Sequence, residues 1–377
     1  LGSGPGRVIG TLVGERAGPT LILIGGVHGN EPAGVRALER VFGALTPRGV
    51  PLRGEAVGVV GNRAALEAGE RYLVRDLNRA WHPERVAALR QKGAAEGEDR
   101  EQLELLDVLE AGFARARGPV YVVDLHTTSS AGPPFATIDD APRNRAFGRR
   151  FPLPLVLGLE ERLDGTLLDY LAALGHVTLG VEGGQNDLPD SVDNLEAAAW
   201  IALVAAGLVS ARALAEYRIA HERLRTCCRG IPPVLEVCYR HPVAPEDAFR
   251  MEPGYEHFRP IRQGEVLARC QTGEVRAVEG GRILMPLYQE LGNDGFFLVR
   301  QVAPLWLQLT DFLRLFRVEA LASWLPAVRR HPTRADAVVV RRPEARRRTV
   351  RLLRFLGFRR EGATGDEVVM SRREGRR

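Results

Sequence analysis

Residues 20–27 read Thr-Leu-Ile-Leu-Ile-Gly-Gly-Val, with no charge and a single polar side chain. Such a run falls far short of the roughly 20 residues that a membrane helix needs. It matches a strand covered on both faces, the inner strand of a largely parallel sheet. Such a strand demands strand neighbours, and parallel neighbours demand crossover connections, usually helices.

The following sequence supplies those pieces. Residues 31–45 predict a helix, with Val35, Leu38, Val41, Phe42 and Leu45 at helical spacing. Residues 55–60, 120–125 and 177–181 read as further strands, and 100–115 and 193–208 as helices. This alternation predicts an α/β fold with helices on both faces of a sheet. Near Thr226 the pattern changes. Residues 231–302 hold short β-rich runs at 234–238, 265–268, 273–278, 282–285 and 296–299, broken by Gly and Pro, which predict a smaller all-β domain. Residues 305–325 return to helical spacing before an Arg-rich end. The expected domains are therefore 1–225, 226–318 as a β-rich C-terminal domain, and 319–377 as a helical, Arg-rich extension.

Charge separates the tail from the body. From Arg329 onward there are 16 arginines and 6 acidic residues, whereas the preceding chain carries 36 basic and 41 acidic residues. A basic tail can attract nucleic acid, but Arg-rich segments are more commonly solvated faces, so no nucleic-acid partner is expected. No apolar run reaches membrane-helix length, and no membrane partner is expected. The glycine-rich start at 1–6 lacks the features of a secretion signal and reads as trimmed. The four cysteines form no CxxC pair, which fits a reducing, cytoplasmic setting.

Four polar clusters fall at or after strand ends, where open α/β sheets gather their active sites. His28 and Glu31 lie three apart on the turn leaving the first strong strand, and zinc accepts such a mix of N and O ligands. His126 follows the strand at 120–123 and is the natural third ligand. Asp124 shares its face and could take the other ring N–H. Arg63, Asn78 and Arg79 could form an anion-binding set, because a guanidinium fork matches a carboxylate. Glu182 ends a buried strand, where an unpaired carboxylate is costly; beside a metal-bound water it could serve as general base and then acid. Each cluster alone also has a plain structural explanation as a turn, a polar strand end, a surface ion pair or a loop cap.

Taken together, His-Gly-Asn-Glu (28–31), Asp-Leu-Asn-Arg (76–79), Asp-Leu-His-Thr-Thr (124–128) and Val-Glu-Gly-Gly (181–184) resemble the motifs of the succinylglutamate desuccinylase/aspartoacylase family of zinc-carboxypeptidase-like enzymes. The resemblance runs from residue 7 to about 318. It takes in Leu-Met-Pro-Leu-Tyr-Gln (284–289) and Gly-Phe-Phe (295–297), which look like the family's C-terminal module. It implies a zinc-carboxypeptidase-like mixed sheet flanked by helices, with a smaller C-terminal all-β domain. It implies one Zn2+ per chain on His28, Glu31 and His126, and Glu182 activating water. It further implies Arg63 polarising the scissile carbonyl, Asn78 and Arg79 binding a substrate carboxylate, and Tyr288 closing the site. The implied activity is amide hydrolysis of a small N-acylated amino acid or related acidic substrate. The alternatives are a metallocarboxypeptidase acting on peptide C-termini and an inactive zinc-binding homologue. The implied partner is a small-molecule substrate, with homo-oligomerisation left open. A family loop of the Glu-Val-Gly type is Glu-Gly-Gly here, which alters the pocket wall.

Overall fold

The computed structural model describes residues 6–93, 96–160, 162–289, 291–303, 305, 328–334, 337–341, 349, 353, 358–364 and 367–372. The described chain divides into two compact units, one reaching Gln301 and a second formed mainly by residues after it.

The first unit is built on a mixed sheet. Its strands are β1 (Val8–Val13), β2 (Arg16–Gly25), β3 (Arg53–Val60), β4 (Val120–Thr128), β5 (Phe135–Ile138), β6 (Leu155–Leu157), β7 (Val177–Gln185) and β8 (Val234–Pro242). The short strands β9 (Arg250–Met251), β10 (Pro260–Ile261), β11 (Val266–Cys270), β12 (Gly273–Arg276) and β13 (Gly281–Leu284) precede β14 (Asp294–Gln301). Eleven of them form one sheet in the order β1-β3-β2-β4-β7-β5-β6-β8-β14-β13-β10, and β12-β11-β9 form a separate small sheet. The helices are α1 (Ala33–Leu45), α2 (Arg63–Ala68), α3 (Pro83–Lys92), α4 (Glu98–Arg115), α5 (Pro142–Gly148), α6 (Leu167–Ala173), α7 (Pro189–Ala205) and α8 (Ala215–Cys227).

The run at 20–27 becomes the inner strand its composition demands. β2 pairs in parallel with β3 on one side and β4 on the other. Ile22 and Ile24 pack with Val57, Val59 and Val122 against Leu105, Leu106 and Leu109 of α4. Strand alternation sends Leu21 and Leu23 to the opposite face, where α1 and α7 lie against the strand. Each buried aliphatic side chain contributes about 1.5–3 kcal/mol relative to exposure. A layer of this kind therefore holds the strand ends in place.

The chain beyond residue 226 joins the same sheet: β8 pairs in parallel with β6, and β14 pairs antiparallel with β8. Aromatic and aliphatic residues including Met251, Tyr255, Leu267, Phe296 and Leu298 form a second core in this β-rich part.

The second unit departs from the helical extension expected for 319–377. Its described residues form an antiparallel sheet of β15 (Val328–Arg330), β16 (Ala337–Arg341), β17 (Phe358–Thr364) and β18 (Glu367–Arg372), in the order β15-β16-β18-β17. Val338, Val340, Val368 and Met370 pack with Leu353 and Phe358 in a core of their own. Valine-rich runs favour a pleated, half-buried surface, a signal that the arginines around them obscure. The helical spacing read at 305–325 lies, apart from Leu305, outside the described residues.

Candidate metal centre and substrate cavity

Parallel register brings the chemistry together. β4 lies beside β7 with His126 opposite Glu182, while β2 runs beside β4 and delivers His28 and Glu31 on the turn into α1. This turn is tight. A Cβ on Gly29 would sit 2.1 Å from the Ala65 carbonyl carbon, and one on Gly34 would sit 2.7 Å from the Leu125 carbonyl oxygen. Only glycine lets the His28 turn and the start of α1 approach the neighbouring backbone so closely.

Glu31 is the hub. Its two oxygens lie 2.8 Å from His28 Nδ1 and 2.9 Å from His126 Nδ1, and the Thr127 backbone N–H donates to it at 3.1 Å. His28, Glu31 and His126 are all buried. Burial raises the Glu31 carboxyl, but the two imidazoles more than reverse this and hold it well below the usual carboxylate range. His126 donates its Nε2–H to Asp124 at 2.7 Å. Burial works against a charge on His126, yet Asp124 and Glu31 outweigh it and hold the imidazolium well above its usual range.

The donor set fits a divalent cation. One ligand atom from each of His28, Glu31 and His126 lies within 4.8 Å of the others. Two nitrogens each facing a carboxylate oxygen attract it only if a proton, or a cation, lies between them. Each ring's second nitrogen faces a carboxylate, Asp124 for His126 and Asp76 for His28 at 3.1 Å, the outer support that metal-ligating histidines require. Glu182 completes the picture: its Oε2 is buried and has no hydrogen-bond partner among the described residues. Burial pushes the Glu182 carboxyl up to about 8, with Glu31 and Asp124 adding to the rise against His126 and Arg71. Each of these groups lines one cavity, together with Asn78, Arg79 and the 285–287 loop of the β-rich part.

Two residues expected in the site are elsewhere. Arg63 does not line the cavity. Asn62 caps α2 by accepting the Ala65 N–H, which places Arg63 at the first helical position, where its guanidinium binds Glu104 of α4 at 2.6 Å. The Gly-Asn-Arg stretch is thus a helix-start signal. Tyr288 is likewise turned away: its hydroxyl donates to the Glu252 carbonyl at 2.8 Å and accepts the Tyr255 N–H at 2.9 Å. Its neighbours Met285, Pro286, Leu287 and Gln289 line the cavity instead.

The structure puts Arg71 where Arg63 was expected. Its guanidinium lies 3.0 Å from His28 Nε2 and donates to Asp76 at 3.1 Å and to Glu31 at 3.4 Å. Asp76 was also missed. Burial raises its carboxyl, but His28, Arg71 and Arg79 together hold it well below the usual range. Only Asp76's position in the Asp-Leu-Asn-Arg motif hinted at it. Asn78 and Arg79 do line the cavity. Asn78 accepts the Leu167 N–H through Oδ1, and Arg79 lies 3.6 Å from Asp294. Arg71→Ala should therefore lower kcat/KM about 100-fold, the scale of losing one preorganised donor. Arg63→Ala should change it less than about threefold, as for a half-exposed ion pair away from the cavity. Steady-state kinetics on both variants checks this, and equal losses would sink the assignment.

The profile of the Succinylglutamate desuccinylase/Aspartoacylase catalytic domain matches residues 17–205. A succinylglutamate desuccinylase of Burkholderia pseudomallei (strain 1710b) is 32% identical over 112 residues, 30% of this chain and 32% of that protein. The matched part is thus about a third of the length of that curated relative. The succinylglutamate desuccinylase/aspartoacylase structure from Rhodobacter sphaeroides superposes with a TM-score of 0.59 at 19% identity, covering 78% of this chain and 88% of that one. The product-bound ectoine utilization protein EutE (DoeB) from Ruegeria pomeroyi gives 0.56 at 20% identity, covering 77% and 87%. At such identities the superpositions speak for the fold.

Proposed function

This chain belongs to the succinylglutamate desuccinylase/aspartoacylase family, and on that footing we propose that it hydrolyses the amide of a small N-acylated amino acid with the help of one zinc ion. The observation that carries the reading is the Glu182 carboxylate, whose buried Oε2 has no hydrogen-bond partner among the described residues, beside the His28–Glu31–His126 cluster in a cavity that Asn78 and Arg79 also line.

In this reading His28, Glu31 and His126 hold the ion. When bound, it supplies Lewis-acid polarisation of the amide carbonyl and acidifies a water. Glu182 takes a proton from the attacking water as the new C–O bond forms. Arg71 donates to the charge that develops on the carbonyl oxygen. Glu182 then hands its proton to the departing nitrogen as the C–N bond breaks, so water is divided between acid and amine. Asn78 and Arg79 hold the substrate carboxylate; Asn78 Oδ1 is engaged with Leu167 and its amide N–H groups remain to donate. The segment 1–225 supplies ligands and base, and Met285, Pro286 and Leu287 of the β-rich part line the same cavity. In this reading that wall limits the site to small substrates, acyl-amino acids rather than peptide C-termini. We place the enzyme in the cytoplasm, a setting supported by its four free cysteines. No described helix is long and apolar enough to cross a membrane.

The test is turnover of N-acetyl, N-succinyl and N-formyl amino acids by protein of measured metal content. Activity should vanish on chelation and return with zinc. One equivalent of zinc without turnover on this panel would reject the deacylase reading, and protein that binds no divalent ion would reject the centre itself.

A further inference from the structure

Resting on the deacylase reading, we propose that the cavity carries an ammonium subsite at Glu160, so that the substrate is an N-acylated diamino acid: one nitrogen acylated, the other a free ammonium.

Glu160 lines the same cavity as Asn78 and Arg79 and is 7% exposed. Its two oxygens accept hydroxyl hydrogen bonds from Thr137 at 3.1 Å and Thr166 at 2.9 Å. Among the described residues no cationic side chain lies within ion-pair distance of it. The other acid on this wall is different: Asp294 is bound by the Arg240 guanidinium and also faces Arg79 at 3.6 Å. Arg240 therefore compensates Asp294, which leaves Arg79 for a substrate carboxylate; Arg79 acts on Glu160 only as a charge beyond ion-pair distance. Burial pushes the Glu160 carboxyl up and Asp169 adds to the rise, which the hydroxyls of Thr166 and Thr137 and the more distant Arg79 only partly offset.

A brace between two threonines needs no charge. Glutamine could accept from one hydroxyl and donate to the other at much lower desolvation cost. A carboxylate kept in a cavity wall, with lone pairs left over after two hydroxyl bonds, suits a ligand that brings the missing positive charge. The cavity thus offers donors for a carboxylate at Asn78 and Arg79 and an acceptor for an ammonium at Glu160. An N-acyl aspartate or glutamate would instead set a second carboxylate against Glu160.

The experiment compares kcat/KM of the zinc-loaded protein for Nα-acetylornithine against N-acetylnorvaline, for Nδ-acetylornithine against 5-acetamidopentanoate, and for N-acetylglutamate. One acetylornithine isomer should exceed the counterpart that lacks its free ammonium by about 100-fold, the scale of an unmatched buried charge. Which isomer wins tells whether the α- or the side-chain ammonium faces Glu160. In Glu160→Gln that ratio should fall to within about threefold of unity, with zinc content and Tm measured alongside. Preference for acetylglutamate, or equal rates for each isomer and its counterpart, in the wild-type protein would overturn the subsite and leave the deacylase reading standing. So would an unchanged ratio in Glu160→Gln. Absence of turnover on all five, and on the wider acyl panel, would overturn the deacylase reading and the subsite with it.

Discussion

Glu182→Gln should lower kcat by about 1,000-fold while one equivalent of metal stays bound, within the range for loss of a general acid–base. Glutamine keeps the size and the strand position opposite His126 but cannot accept the proton. The pH profile carries a second signature. Glu182 must be ionised to act, so the rate falls as pH drops through its pKa. Burial places that pKa up to about 8 in the metal-free site, and a cation on His28, Glu31 and His126 lowers it. The acid limb of kcat/KM should therefore lie below about 8 yet above the usual carboxylate range, and it should be absent from the residual activity of the variant. Stability moves the other way. A carboxyl whose folded pKa is raised costs stability at any pH above its unfolded value, with the cost growing until the folded pKa is passed. The metal-free glutamine variant should melt higher than the wild-type protein at pH 8. Full activity of Glu182→Gln would remove it from the mechanism.

His126→Ala removes one of the two imidazoles and leaves Glu31 with a single nitrogen partner, His28. Metal affinity should fall by more than about 100-fold, beyond the loss from removing a supporting partner, and activity should fall with it. Asp124→Asn is the graded companion. The amide oxygen still accepts the His126 N–H but adds no charge, so affinity should fall about 10- to 100-fold. Zinc titration by calorimetry measures both. Because His126 holds a proton toward the ionised Glu31 where a cation would bind, uptake should release protons, and the apparent affinity should weaken as pH falls. If His126→Ala retained stoichiometric zinc, the ligand set would be wrong.

The presence and order of β2, β4 and β7 were legible because a strand buried on both faces has to be a continuous apolar run, whereas β4 and β7 run on to Thr128 and Gln185, past the apolar residues that announce them. His28, Glu31, His126 and Glu182 were legible for a related reason. Residues at the carboxyl ends of adjacent parallel strands converge whatever the loops do, so their positions in sequence largely determine their positions in space. Arg63 and Arg71 were not separable in this way. Arg63 opens α2 and Arg71 lies on the connection after it, and side chains at such places are aimed by caps and distant partners. Asn62 turns the chain into α2 and Glu104 draws Arg63 away, while Asp76 and Glu31 draw Arg71 inward. Tyr288 was decided by the backbone of residues 252–255, and Glu160 by two threonines on other elements. Sequence alone therefore determined the α/β scaffold and the meeting of His28, Glu31, His126 and Glu182 at its strand ends, because periodicity and strand-end position are local properties. Tertiary structure alone decided which arginine meets the centre and what lines the rest of the cavity, because those depend on partners far away in the chain.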